Sequence, residues 1–225
     1  MYLHATCNTR EPVIGYVKQP KNEQHFAIMT PKQQERIKNK IKKIKAALAA
    51  DKKRWGGQHH DGQGLRYCPP ELYIKLNDFT GGLRYFNWFN KNFPDDSGFP
   101  DFLFEWTIIL FKTGRLKEAE KKAFETFRSN TYIFDIFFNR QVTEIEKWEG
   151  SNLQTLDFAA NQFGYNSKQD NLTDFSEWLS NFIATEKFKL LSNKYLDIQK
   201  RLKTEHDIEK RRYLIEQEQQ LENEL

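Results

Sequence analysis

The chain has 225 residues and a formal charge of +4, with 29% charged and 15% aromatic residues, 19 of them Phe. That mixture excludes a disordered chain, and so mild a charge does not by itself imply nucleic acid. Cys7 and Cys68 are too few for a disulfide framework, no apolar leader follows the start, and the longest apolar stretch, FLFEWTIILF, is interrupted by Glu105; the composition points to a reduced, cytoplasmic protein without a membrane span.

Residues 1–29 carry Pro12 and Pro20 without helical periodicity, and read as an irregular arm in which VIGYV has the pattern of a short strand. Thr30, Pro31 and Gln33 then form a capping-box start, followed by Ile37, Ile41, Ile44 and Leu48 at helical spacing. Between Lys32 and Arg54 this helix holds ten basic residues against Glu35 and Asp51. Its cations read either as a solvated outer face flanking the apolar stripe or as a patch for phosphates, with Lys38, Lys42, Lys45, Lys52, Lys53 and Arg54 as the contacting residues. WGGQHHDGQG interrupts the pattern as a loop.

From 69 to 128 helices alternate with short breaks. LNDFTGGLRYF overlays the segment after Lys112 at an offset of 37 residues: Asn77 over Gly114, Phe79 over Leu116, Gly82 over Ala119, Phe86 over Ala123. Each unit places a residue tolerant of left-handed geometry, an apolar residue two later and a small residue three after that, which predicts a helix end, a tight turn and a second helix crossing closely at Gly82 or Ala119. Tyr73 and Pro94 extend the pattern in the first unit and Leu110 in the second. Phe86, Phe89 and Phe93 share one face of the following helix, with Tyr85, Trp88 and Asn92 on the adjoining one, a distribution expected of core.

This pattern resembles the tetratricopeptide repeat, over units at about 63–96 and 100–130. It departs from the family at Pro69 and Pro70, which shorten a first helix, at bulky Phe89, and at Thr131, where a terminal proline is absent. The resemblance implies an all-α fold of antiparallel helical hairpins with flanking capping helices, and a concave face of first helices that holds a protein segment. Tyr67, Glu71 and Ile74 would line that face in the first unit, and Phe104, Ile108, Phe111 and Lys112 in the second.

Beyond 130 the repeat signal fades. EGSNLQTLDFAANQF reads as a helix capped by Ser151 or Asn152, and Phe175, Trp178, Leu179 and Phe182 make a stripe on a helix capped by Thr173. Phe188, Leu191, Tyr195, Ile198 and Leu202 keep helical spacing, and the absence of Pro and Gly over 186–225 predicts one long charged C-terminal helix, docked to about 205 and projecting beyond it. The expected organisation is an arm at 1–29, a repeat-like domain at 30–185 and that helix.

No catalytic pattern emerges. His59, His60, Asp61 and Cys68 fit no zinc spacing, and Gly62-Gln63-Gly64 lacks the third glycine of a nucleotide loop. Asp101 with Glu120, Lys121 and Lys122 resembles a nuclease signature, but on helical sequence rather than on adjacent strands. The sequence calls for no cofactor or metal. It predicts a non-enzymatic protein-interaction module within a cytoplasmic assembly, with a nucleic-acid-associated subunit as the alternative.

Overall fold

The computed structural model describes residues 29–224, all helix and connecting turns, with no strand among the described residues. The expectation for the arm and its strand falls on residues outside that range. Two compact units divide between Asp96 and Ser97, so the boundary passes between the two repeat-like segments, and residues 186–224 belong with the second unit rather than standing apart.

In the first unit α1 spans Pro31–Arg54. Thr30 Oγ1 accepts from Gln33 N at 3.3 Å while Gln33 Oε1 accepts from Thr30 N at 2.8 Å, the reciprocal capping box expected from sequence. Lys52, Lys53 and Arg54 in the last turn complement the helix dipole. Ile41, Ile44 and Leu48 are buried in a cluster with Leu72, Tyr73 and Tyr85, so among the described residues α1 docks through its apolar stripe. A 3-10 turn follows at Leu65–Tyr67, then α2 at Pro69–Lys75 and α3 at Phe79–Asn92.

The turn between α2 and α3 answers to the sequence closely. Asn77 takes a left-handed φ of 54°, its N–H donates to Ile74 O, and Asp78 N–H reaches back to Tyr73 O at 3.0 Å, closing a Schellman motif. Asp78 then caps α3 by accepting from Gly81 N at 2.8 Å. Gly82 is buried as expected, but the explicit restriction lies at Gly81, where a Cβ would fall 2.2 Å from Asp78 Oδ2 and 2.8 Å from the Tyr73 ring. The capping carboxylate and the mate helix together leave Gly81 no room for a side chain.

The second unit opens on the hairpin of α4, Pro100–Lys112, and α5, Leu116–Ser129. Gly114 stands where Asn77 stands in the first hairpin. Its φ is 76°, and the same pair of bonds recurs, Gly114 N to Phe111 O and Arg115 N to Leu110 O, each 2.9 Å. Ala119 and Ala123 are fully buried on α5. The Thr107 and Thr126 hydroxyls meet at 3.3 Å, and Lys122 Nζ lies 4.1 Å from the centre of the Trp106 ring. Helix α6, Ile133–Phe137, ends in a third such turn at Asn139, φ 52°.

Helices α7, Leu156–Gln162, and α8, Thr173–Ala184, follow. Thr155, rather than Ser151 or Asn152, caps α7 by accepting from Phe158 N, and Thr173 is already inside α8. The stripe on α9, Glu186–Thr204, is buried through Phe188, Leu191, Tyr195, Ile198 and Leu202. The single projecting helix expected beyond 205 is not formed. The chain turns at 205–207, Asp207 caps a new helix, α10, at Ile208–Gln220, and α10 runs back along α9. Gln199 Nε2 donates to Glu218 Oε2 at 2.8 Å, Arg211 Nη1 donates to Leu202 O at 2.6 Å, and Leu214 and Leu221 are buried. Burial of those two leucines offsets the loss of helical continuity.

Candidate functional site

Two surfaces were legible as sites, and they fare differently. On the first-helix face of the first unit, Ile74 is buried, Glu71 pairs with Lys75 one turn on, and Tyr67 is held in a polar knot. Tyr67 Oη donates to Asp96 at 2.7 Å and accepts from Arg66 Nη2 at 2.8 Å, while Arg66 Nε bonds Asp96 at 2.6 Å. Burial first, and the neighbouring Asp96 carboxylate second, push the Tyr67 phenol well above its ordinary range.

In the second unit the expected face is covered by the chain itself. Phe104 is 0% exposed, its ring 5.0 Å from Phe137, 4.9 Å from Phe163 and 5.5 Å from Phe175. Ile108 is equally buried. Phe111 stacks on Trp178 at 5.0 Å, and Lys112 pairs with Asp174. Partial burial works against the Asp174 charge, but Lys112 and the Phe175 N–H outweigh it and hold the carboxyl below its usual range. Helix α8 therefore lies where a bound protein segment was expected. Its Phe175–Trp178–Phe182 stripe was visible in the sequence, but not the mate it would choose.

Helix α1 presents the opposite case. Lys38, Lys42, Lys45, Lys53 and Arg54 are exposed and make no ion pair among the described residues. Lys52 is half-buried, donating to Asn92 Oδ1 at 2.6 Å. Lys38, Lys42, Lys45 and Lys52 recur at intervals of four, three and seven, along one flank of the helix. Charge is also segregated along the chain: residues 29–96 hold 14 Lys and Arg against 7 Asp and Glu, a net +7, whereas residues 97–225 hold 18 against 22, a net −4.

At the C-terminal end of α1 the loop adds aromatic surface that the sequence reading left as mere linker. Trp55 is 51% exposed and stacks on His60, ring centres 4.8 Å apart and planes within 21°. The loop is pinned from α1, since Asp51 Oδ2 accepts from His60 N at 2.8 Å and Asp61 N at 3.1 Å. Those amides outweigh desolvation and hold Asp51 below the usual carboxylate range. The His59 side chain, 3% exposed, turns inward against Trp88 and Phe93, with Nδ1 3.8 Å from Asp51 Oδ2. His59 and His60 therefore point to different surroundings, and no group of three His, Cys, Asp or Glu suited to a metal is present among the described residues. Asp101 and Glu120 lie on α4 and α5, not on strands.

Cys68 is buried in the first unit, and the chain's other cysteine, Cys7, lies outside the described residues. None of the described helices is long and apolar enough to cross a membrane. Comparison of the chain with protein-family models, curated proteins and solved structures returned no match.

Proposed function

We propose that this chain is a non-catalytic, nucleic-acid-associated subunit, built on tetratricopeptide-like hairpins, whose contact surface is the basic face of α1 together with the Trp55–His60 pair. The observation that carries this reading is the junction itself: an exposed, stacked Trp55 directly follows Lys52, Lys53 and Arg54. A row of lysines tracks a phosphate backbone by charge, and an aromatic face beside it takes an unpaired base, worth about 1–3 kcal/mol per base. The protein-capture reading, which the family resemblance favours, loses support because α8 already occupies Phe104 and Phe111.

Fluorescence anisotropy with a labelled mixed-sequence single-stranded DNA of roughly 20 nucleotides tests it. Neutralising four phosphates gives a log–log salt slope of about −3. The quadruple variant K38E/K42E/K45E/K53E should abolish binding without moving Tm, and Trp55→Ala should weaken it by about tenfold. Absence of binding at about 0.1 M salt, or full binding by the quadruple variant, overturns the reading. Competition by polyglutamate equal to that by the oligonucleotide would instead assign α1 to an acidic protein partner.

A further inference from the structure

The second unit holds a cleft of about 360 Å³ that neither the hairpins nor α1 accounts for. Its apolar wall is a triangle of rings, Phe127 from α5, Phe134 from α6 and Phe188 from α9. Their centres lie 6.4 Å apart for Phe127–Phe134, 5.5 Å for Phe127–Phe188 and 6.2 Å for Phe134–Phe188. Ile183 and Ala184, at the end of α8, complete that wall.

The rest of the lining is polar. It includes the cations Arg140 and Lys189 and one carboxylate, Asp135, which pairs with Arg140 at 3.3 Å. Lys189 reaches Glu186 at 3.4 Å, an exposed pair of little worth against a competing anion. Thr131 also lines the cleft. It is 6% exposed, and its hydroxyl has no hydrogen-bond partner. Burying such a group without a partner is costly.

We propose that this cleft binds a small aryl carboxylic acid: the ring adds a fourth member to the Phe127–Phe134–Phe188 cluster, and the carboxylate sits between Arg140 and Lys189. An apolar wall with a few convergent polar groups, in a volume within the range of small-molecule sites, is the arrangement such ligands use. The preference for a ring follows from offset and edge-to-face contacts, which reward an aromatic partner beyond its buried area. The preference for an anion follows from two cations whose present pairs, Arg140 with Asp135 and Lys189 with Glu186, are exposed and weakly held, and a guanidinium donates to a carboxylate in bidentate geometry. The site lies wholly within 97–225 and is independent of the reading given to α1.

Titration of the full, isotope-labelled chain with 3-phenylpropionate, followed through backbone amide resonances, tests the assignment. The expected result is saturable shifts at Ser180, Ile183, Ala184 and Lys189, with Kd on the order of 1 mM for so small a ligand. The neutral 3-phenylpropanol should bind about tenfold more weakly, as should the acid to Arg140→Gln. Arg140 is exposed, so Arg140→Gln should leave Tm unchanged, and loss of the acid there is not loss of the fold. Shifts that do not saturate, shifts centred away from this cleft, or equal binding of acid and alcohol each overturn the proposal.

Discussion

Of the 24 residues of α1 three are buried, whereas of the 13 residues of α4 ten are. Both helices begin with proline at the first position and end in basic residues, and each was read from sequence as a contact surface. The difference lies in how the apolar residues are spread. In α1 they are confined to one stripe, so docking by Ile41, Ile44 and Leu48 leaves the rest of the circumference wet. In α4 they run all round, and water is excluded by the chain's own α6, α8 and the loop carrying Phe163. A helix apolar on every side is consumed by its own fold, whereas one with a single stripe keeps most of its surface in water.

Alkali should test the packed interior of both units, with the largest effect. Tyr85 in the first unit and Tyr195 in the second are buried, and burial pushes both phenols far up, as it does Tyr67. A folded-state value raised above the unfolded one contributes stability that is complete below the ordinary phenol value of about 10 and is lost as pH rises beyond it. Thermal melts should therefore be flat up to about pH 9 and fall steeply above about 10. A Tm unchanged to about pH 12 would show that these phenols are not buried as described.

Phe104→Ala is expected to cost about 3–5 kcal/mol by denaturant titration, since the ring packs against α6, α8 and the loop carrying Phe163. A loss below about 1 kcal/mol would make α4 a partner-facing helix after all and remove the contrast with α1. Gly81→Ala acts on a smaller scale. The added methyl displaces the Asp78 cap and presses on Tyr73, for an expected loss of about 1–3 kcal/mol. Neutral behaviour would mean that the cap and the ring both yield without strain.

The parts of the fold that were legible are those fixed within one turn of chain. Thr30, Pro31 and Gln33 specify the start of α1 by themselves, and Asn77 and Gly114 do adopt the left-handed turns that their alignment implied. What escaped is set by distant partners. Nothing near Phe104 indicates that Phe175 will cover it, and the return of α10 depends on burying Leu214 and Leu221 in the packed unit rather than on any breaker between 186 and 225. Asp207 was a local signal for that turn, but without Gly or Pro beside it the helical pattern on either side dominated. Of the candidate surfaces, the cations of α1 were plain in the sequence. The Trp55–His60 stack was not, because two glycines between them suggested slack where Asp51 supplies anchorage.

Helix α1, with 24 residues, is about 36 Å long, so its ten cations stand about 3.6 Å apart along the axis, close to the roughly 3.4 Å between phosphates on one nucleic-acid strand. At that density α1 is itself a short polyelectrolyte, and it gathers its own cloud of small anions from the buffer. The proposed association with a phosphate chain would free ions from both surfaces, and the gain in entropy would belong to the solution as much as to the contact.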